Sequence, residues 1–194
     1  MERAERGDVT TSRAGRPKAS SREMLAEAAS ELFLEQGYEA TSIAEIAARA
    51  GVSRSSFFNY AASKGALLWG GLDERLDALD SDLERGTPRE AVREIARGLA
   101  PDALALALAN AEAMGLAAEL EREAALRRAR IGRSVARALR RRGLDPLAAD
   151  VAGAAYGGAV IAALERWALA GPGRVELATT LDAALEAIAT IPVD

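Results

Sequence analysis

The chain has 194 residues, 49% of them hydrophobic, and a formal net charge of −4. That size and apolar content suit one large or two small domains with a real core. There is no cysteine and no histidine, which excludes a disulfide frame, thiolate metal sites and every Ser-His or Cys-His pair, and leaves an enzyme only carboxylate chemistry.

Residues 1–19, MERAERGDVTTSRAGRPKA, lack periodicity and large apolar side chains and read as a disordered arm. Arg13, Arg16 and Lys18 make its second half basic. Gly15-Arg16-Pro17 is a narrow extended piece of the kind that enters a minor groove, although a solvated basic tail fits the same residues. Scattered charge here fits no secretory leader, and the uncharged run Val151–Leu164 is short for a bilayer span, so a cytoplasmic protein is expected.

A first helix starts at a Ser20/Glu23 capping box and carries Leu25, Ala28, Ala29, Leu32 and Phe33 on one face to Gly37. Ser42 to Lys64 then reads as two short helices around a tight corner. Ser42 and Glu45 form a second capping box, Ala47 is small where helices cross, and Gly51 sits where the chain must turn. Ser53 caps a helix over Arg54–Tyr60 whose Phe57 faces inward. This is the pattern of a helix-turn-helix, with an ordinary corner in a helical bundle as the blander alternative. What tips the balance is the second helix: Arg, Ser, Asn and Tyr side chains hydrogen-bond base edges and phosphates. Charge agrees locally. Residues 1–64 hold nine basic and nine acidic residues, so the acidic excess lies beyond them.

Ser63 caps the next helix, with Lys64 in its first turn, where a DNA phosphate would be welcome. That helix runs to about Arg85 on a stripe of Leu68, Leu72, Leu76, Leu79 and Leu83, with Gly70-Gly71 as a plausible hinge. Thr87-Pro88-Arg89-Glu90 opens a helix to about Gly98, and Pro101 opens another to about Met114. A long helix from Leu116 to Arg142 repeats arginine at 127, 130, 133, 137, 140 and 141. A solvated basic face accounts for that repeat; an anchor for ligand phosphates is the sharper reading. Asp145-Pro146 starts a helix to about Ala170, rich in small residues, and a last helix carries Leu177, Leu181, Ala184, Leu185 and Ile188. These two read as a dimer surface through Gly153, Gly157, Ala159, Leu164, Leu181, Leu185 and Ile188, or as internal core. No strand pattern or internal repeat occurs. The expected fold is all-α with about nine helices.

Residues 22–68, with AASELFLEQGYEATSIAEIAARAGVS, then SSFFNY, then SKGALL, resemble the tetracycline-repressor-like (TetR) family of bacterial transcription regulators. The resemblance implies a basic arm at 1–19, a DNA-binding head at 20–66 and a ligand-binding, dimerising body at 67–194. It implies a homodimer on a near-palindromic operator, with no catalytic residue and no cofactor or metal. By position Ser53, Arg54, Ser55, Phe58, Asn59 and Tyr60 would face DNA, with Thr41, Ser42 and Lys64 on phosphates and Arg16 in the arm. The chain departs from the family at Phe58, where tyrosine is usual, and at Ala61 and Ala62, where phenylalanine and then proline or lysine are usual. Leu68-Trp69 and the arginine-rich helix are similar to a mycofactocin-type subgroup. That likeness implies a small apolar effector of acyl-CoA type, with Trp69, Leu72, Met114, Tyr156 and Trp167 as a pocket wall. The function implied is a ligand-released repressor. A helical protein-interaction module without DNA binding is the other reading the residues allow.

Overall fold

The computed structural model describes residues 21–171 and 173–190, so Arg16 and the expected arm lie outside the described residues, as does the expected Ser20 cap. The described residues form ten helices and no strand. In chain order they are α1 (Ser21–Gln36), α2 (Ile43–Arg49), α3 (Arg54–Phe57), α4 (Lys64–Leu67), α5 (Gly70–Arg85), α6 (Pro88–Ala96), α7 (Ala103–Ala109), α8 (Ala117–Arg141), α9 (Pro146–Ala170) and α10 (Leu177–Thr190). The all-α expectation holds. The additional helix comes from a break the leucine spacing hides: the chain turns at Leu68-Trp69, and α5 begins only at Gly70.

The first three helices close around Leu25, Ala29, Leu32, Phe33, Ile46 and Phe57, all buried, with the Tyr38 ring edge-on to Phe33 at 5.2 Å. Ile43, at the start of α2, is only half-buried. The apolar cluster continues without interruption through Trp69 and Leu72 to Leu181 and Leu185.

Glycines set the close contacts. Gly70 lies against the Arg22 side chain, where a Cβ would stand 2.6 Å from Cδ, so the Gly70-Gly71 pair serves close approach as well as flexibility. Gly153 and Gly157 let α9 lie against the backbone of α8 at Gly132 and Arg128. This favours the internal-core alternative over the dimer surface for those two glycines. Gly153, Gly157, Ala159 and Leu164 of α9 and Leu181 and Leu185 of α10 are buried within one chain and Ile188 is half-buried; the two glycines of α9 are spent on α8. The opposite face of α9 shows Leu147, Val151, Ala154, Ala162 and Leu169 to the outside, on one helical stripe. By length and apolar character α9 would suffice to cross a membrane, longer than its uncharged run suggested; here it is one of the central core helices.

The arginine repeat of α8 has a structural partner. Arg127 meets Asp73, Arg130 meets Asp77 at 2.6 Å and Arg137 meets Asp80 at 2.9 Å, so α5 and α8 run parallel and are linked by a ladder of ion pairs. Arg142 closes it by donating to the Leu83 and Gly86 carbonyls at the end of α5. Arg140 pairs with Asp150 on α9. For Arg127, Arg130, Arg137 and Arg140 the phosphate-anchor reading therefore gives way to protein carboxylates, while Arg133 and Arg141 have no ion pair among the described residues.

Candidate nucleic-acid interface

The corner is built as the residues dictate. Ser42 and Glu45 cap one another reciprocally, Ser42 N–H donating to Glu45 Oε2 at 2.8 Å and Glu45 N–H to Ser42 Oγ at 3.2 Å. Those bonds to Ser42 hold the Glu45 carboxyl below its ordinary range. Gly51 takes φ +70°, a left-handed turn that L-residues resist. Ser53 Oγ then accepts from Ser56 N–H at 3.1 Å and starts α3.

Helix α3 is shorter than expected, ending at Phe57 instead of Tyr60. Asn59 and Tyr60 follow in turns, with N–H groups on the Ser56 and Phe57 carbonyls at 3.2 and 2.9 Å. Phe57 is fully buried and its ring anchors the segment. Around it Ser53, Arg54, Ser55 and Asn59 are exposed and Tyr60 is half-buried. Phe58 is 53% exposed, its ring edge-on to Phe57. An exposed phenylalanine beside polar side chains has no packing reason to face outward. Ser42 is exposed at the start of α2.

Two expected contact residues are turned inward. Thr41 is 2% exposed; its Oγ1 donates to the Gly37 carbonyl at 2.8 Å and accepts from Gln36 Nε2 at 3.3 Å. Lys64 Nζ donates to the carbonyls of Tyr38 and Thr41, the latter at 2.9 Å, and lies 4.0 Å from the centre of the Tyr38 ring. Both hold the α1–α2 connection in place, and neither stands on the outward face. Tyr38 is buried against α8, and its hydroxyl is pushed up to about 12, first by burial and then by the Glu119 carboxylate. At the rim Arg49 is spent on Glu31 and Glu35, which lowers Glu35. Arg54 has no ion-pair partner among the described residues, so its charge is available on the outward face.

The proposed pocket wall does not assemble. Trp69, Leu72, Met114 and Trp167 are fully packed core, and Tyr156 is half-buried against it. Trp69 instead carries the Arg127 guanidinium 4.7 Å above its ring, while Arg127 bonds Glu123 and Asp73 at 2.5 Å each. A different cleft, of about 670 Å³, opens between α1, the start of α5 and the α6–α7 connection; Arg22, Leu68, Glu74, Leu99 and Asp102 are among its walls. Of these residues sequence reading named only Leu68, as part of a buried stripe. The one available signal was Asp102 as an N-cap, its Oδ1 accepting from Leu104 and Ala105 N–H. Among the described residues no cluster of three or more acidic residues could hold a metal ion.

Residues 25–68 match the family described as bacterial regulatory proteins, tetR family. A Mycobacterium tuberculosis protein named as a mycofactocin biosynthesis transcriptional regulator, MftR, is 34% identical over 86 residues, 44% of this chain. The chain spans 43% of that relative's length. The solved fatty acid degradation regulator FadR of Bacillus halodurans superposes with a TM-score of 0.54 at 16% identity, over 91% of this chain and 98% of that one. Bacillus subtilis FadR in complex with stearoyl-CoA gives 0.50 at 19%, over 86% and 97%. Those two likenesses are of fold. An outward polar segment on a capped corner and the family match over that corner agree: residues 25–68 are a domain of the kind found in bacterial regulatory proteins of the tetR family, and the chain is similar to transcriptional regulators.

Proposed function

We propose that the chain is a repressor that holds a near-palindromic operator as a homodimer and leaves it when a small effector binds. The observation that carries this reading is the division of the corner: Phe57, Ile46 and Ala47 turned in, Ser53, Arg54, Ser55, Phe58 and Asn59 turned out. Arg54 and Asn59 are the base-reading candidates, with Ser42, Ser53, Ser55 and Tyr60 toward phosphates and Phe58 against sugar or base methyls. The head is assigned to residues 20–66 and the body to 67–194. Two copies of α3 must stand about one helical turn of DNA apart, about 34 Å. The outward stripe of α9, Leu147, Val151, Ala154, Ala162 and Leu169, is the proposed dimer face. A DNA partner places the protein in the cytoplasm, without catalysis. The effector is proposed as small and partly apolar. Of the arginines an acyl-CoA's phosphates could meet on α8, Arg127, Arg130, Arg137 and Arg140 are held by carboxylates, which leaves Arg133 and Arg141 without an ion pair among the described residues.

The test is the site itself. Asn59→Ala should change which operator variants are preferred, by about 1–3 kcal/mol at the base it reads, as measured by anisotropy on a set of single-base variants. Unchanged affinity and unchanged preference would remove Asn59 and its segment from the interface.

A further inference from the structure

The three most exposed large apolar side chains among the described residues stand on one helix: Leu147 at 73%, Leu169 at 70% and Val151 at 64%. With Ala154, Gly158, Ala162 and Glu165 they occupy one face of α9, at steps of three and four residues. Large apolar side chains gathered in such a row mark a contact surface.

Gly158 stands at the middle of the row. The backbone of α8 fills the space beside Gly153 and Gly157, whereas a Cβ on Gly158 would meet nothing within 4 Å. Nothing within the chain therefore calls for a glycine there, and a glycine inside a helix weakens it. Residue size is symmetric about this position. Leucines stand eleven residues to either side, at 147 and 169, and alanines four residues to either side, at 154 and 162. A face that reads the same from both ends is complementary to itself under a two-fold axis, which lays two copies of α9 antiparallel. Bare backbone at the axis lets the two helices cross closely.

One position breaks the symmetry. Seven residues from Gly158 stand Val151 on one side and Glu165 on the other, so the axis sets Glu165 of one copy against Val151 of the second. Next to Ala154 a groove of about 360 Å³ runs between α9 and α8, and Ala129, Gly132, Arg133 and Asp150 are among its walls. Asp150 is already held by Arg140. Arg133 and Glu165 are both exposed, and neither has an ion pair among the described residues. They cannot meet within one chain. Gly132 packs beside Gly153, and Glu165 lies twelve residues further along α9, about 18 Å at the helical rise. Between copies, the axis brings Glu165 of each to the Arg133 side of the other's groove.

We propose that a second copy of this chain docks on this face, α9 antiparallel to α9, with the two-fold axis at Gly158 and a Glu165–Arg133 ion pair on either side of it. The inference rests on the homodimer of the proposed function and adds its register and orientation. That crossing sets how far apart the two corners stand.

Sedimentation of the full-length chain, which should run as two copies, tests it. Gly158→Leu should weaken self-association at least tenfold and keep the circular dichroism of wild type, because the new side chain meets nothing in its own chain. Glu165→Arg and Arg133→Glu should each weaken it at least tenfold by setting like charges together. The variant carrying both changes should recover wild-type association, and that recovery arises only between copies. The chain has no cysteine of its own, so introduced cysteines report the orientation. In the variant with both Ala154→Cys and Ala162→Cys, about 12 Å of helix keeps the two thiols of one chain apart. Its oxidation should give a covalent dimer, and oxidation of either single variant should not. A dimer that tolerates Gly158→Leu, a charge swap without recovery, or cross-linking through one cysteine alone would overturn the crossing and leave a homodimer standing. A wild-type chain that sediments as one copy, with and without DNA, would overturn the crossing and the homodimer together.

Discussion

Single residues decide what this corner can do, and the same residue type served two purposes that spacing alone could not separate. The Ser42/Glu45 capping box was legible because it is a three-residue pattern whose partners are local. Thr41 and Lys64 were not. A threonine before a helix and a lysine in a first turn suit a phosphate, but both find protein carbonyls, and for Lys64 those lie 26 and 23 residues away in sequence. Tyr38 gives this scale its prediction. Its hydroxyl meets the Glu119 carboxylate and so ties the head to α8. Tyr38→Phe should cost about 2 kcal/mol, visible as a fall in Tm of about 4–8 °C. The hydroxyl is raised from 10.0 to about 12 in the folded chain, so its contribution is fully present below pH 10 and is lost as the pH climbs through about 12. The stability gap between wild type and Tyr38→Phe should therefore be constant to pH 10 and close above it; a gap that widens with pH would show the sign to be wrong.

Elements were read well where periodicity and caps agree, and poorly where a partner far along the chain sets the boundary. Helix α6 opens at the Thr87/Glu90 capping box and α9 at Asp145-Pro146, as their local patterns dictate. The break between α4 and α5 was hidden because Leu68, Leu72 and Leu76 keep helical spacing across it. The arginines of α8 looked like a solvated or ligand-facing row because their aspartate partners sit on α5, 53 to 57 residues earlier. Burial grades that ladder. The Arg127 and Glu123 side chains are 8% and 9% exposed, whereas Arg130 and Asp77 are 39% and 72% exposed. Removing one partner of a buried pair strands the other, so Arg127→Ala should destabilise the chain by about 3–5 kcal/mol. Arg130→Ala should cost at most about 1 kcal/mol. Urea unfolding of both variants distinguishes them, and equal losses would mean that the ladder acts through charge alone.

At the scale of the whole molecule, the chain's small-residue stripe and its apolar last helices spoke for close packing without naming the neighbour. The glycines of α9 serve α8 within the same chain, and the face proposed for a second copy is the leucine and valine stripe on its other side. The acidic total charge likewise concealed a corner whose one unpaired guanidinium, Arg54, faces out. In the proposed function this corner, presented twice by a paired scaffold, holds duplex DNA. The direct measurement is the affinity of the wild-type protein for the DNA flanking its own gene across about 50 to 300 mM salt, with stoichiometry read from the same complexes. The account predicts two chains per site and a log–log slope of about −5 or steeper, as phosphate contacts release counterions. A single chain per site, or an affinity that salt leaves unchanged, would contradict it.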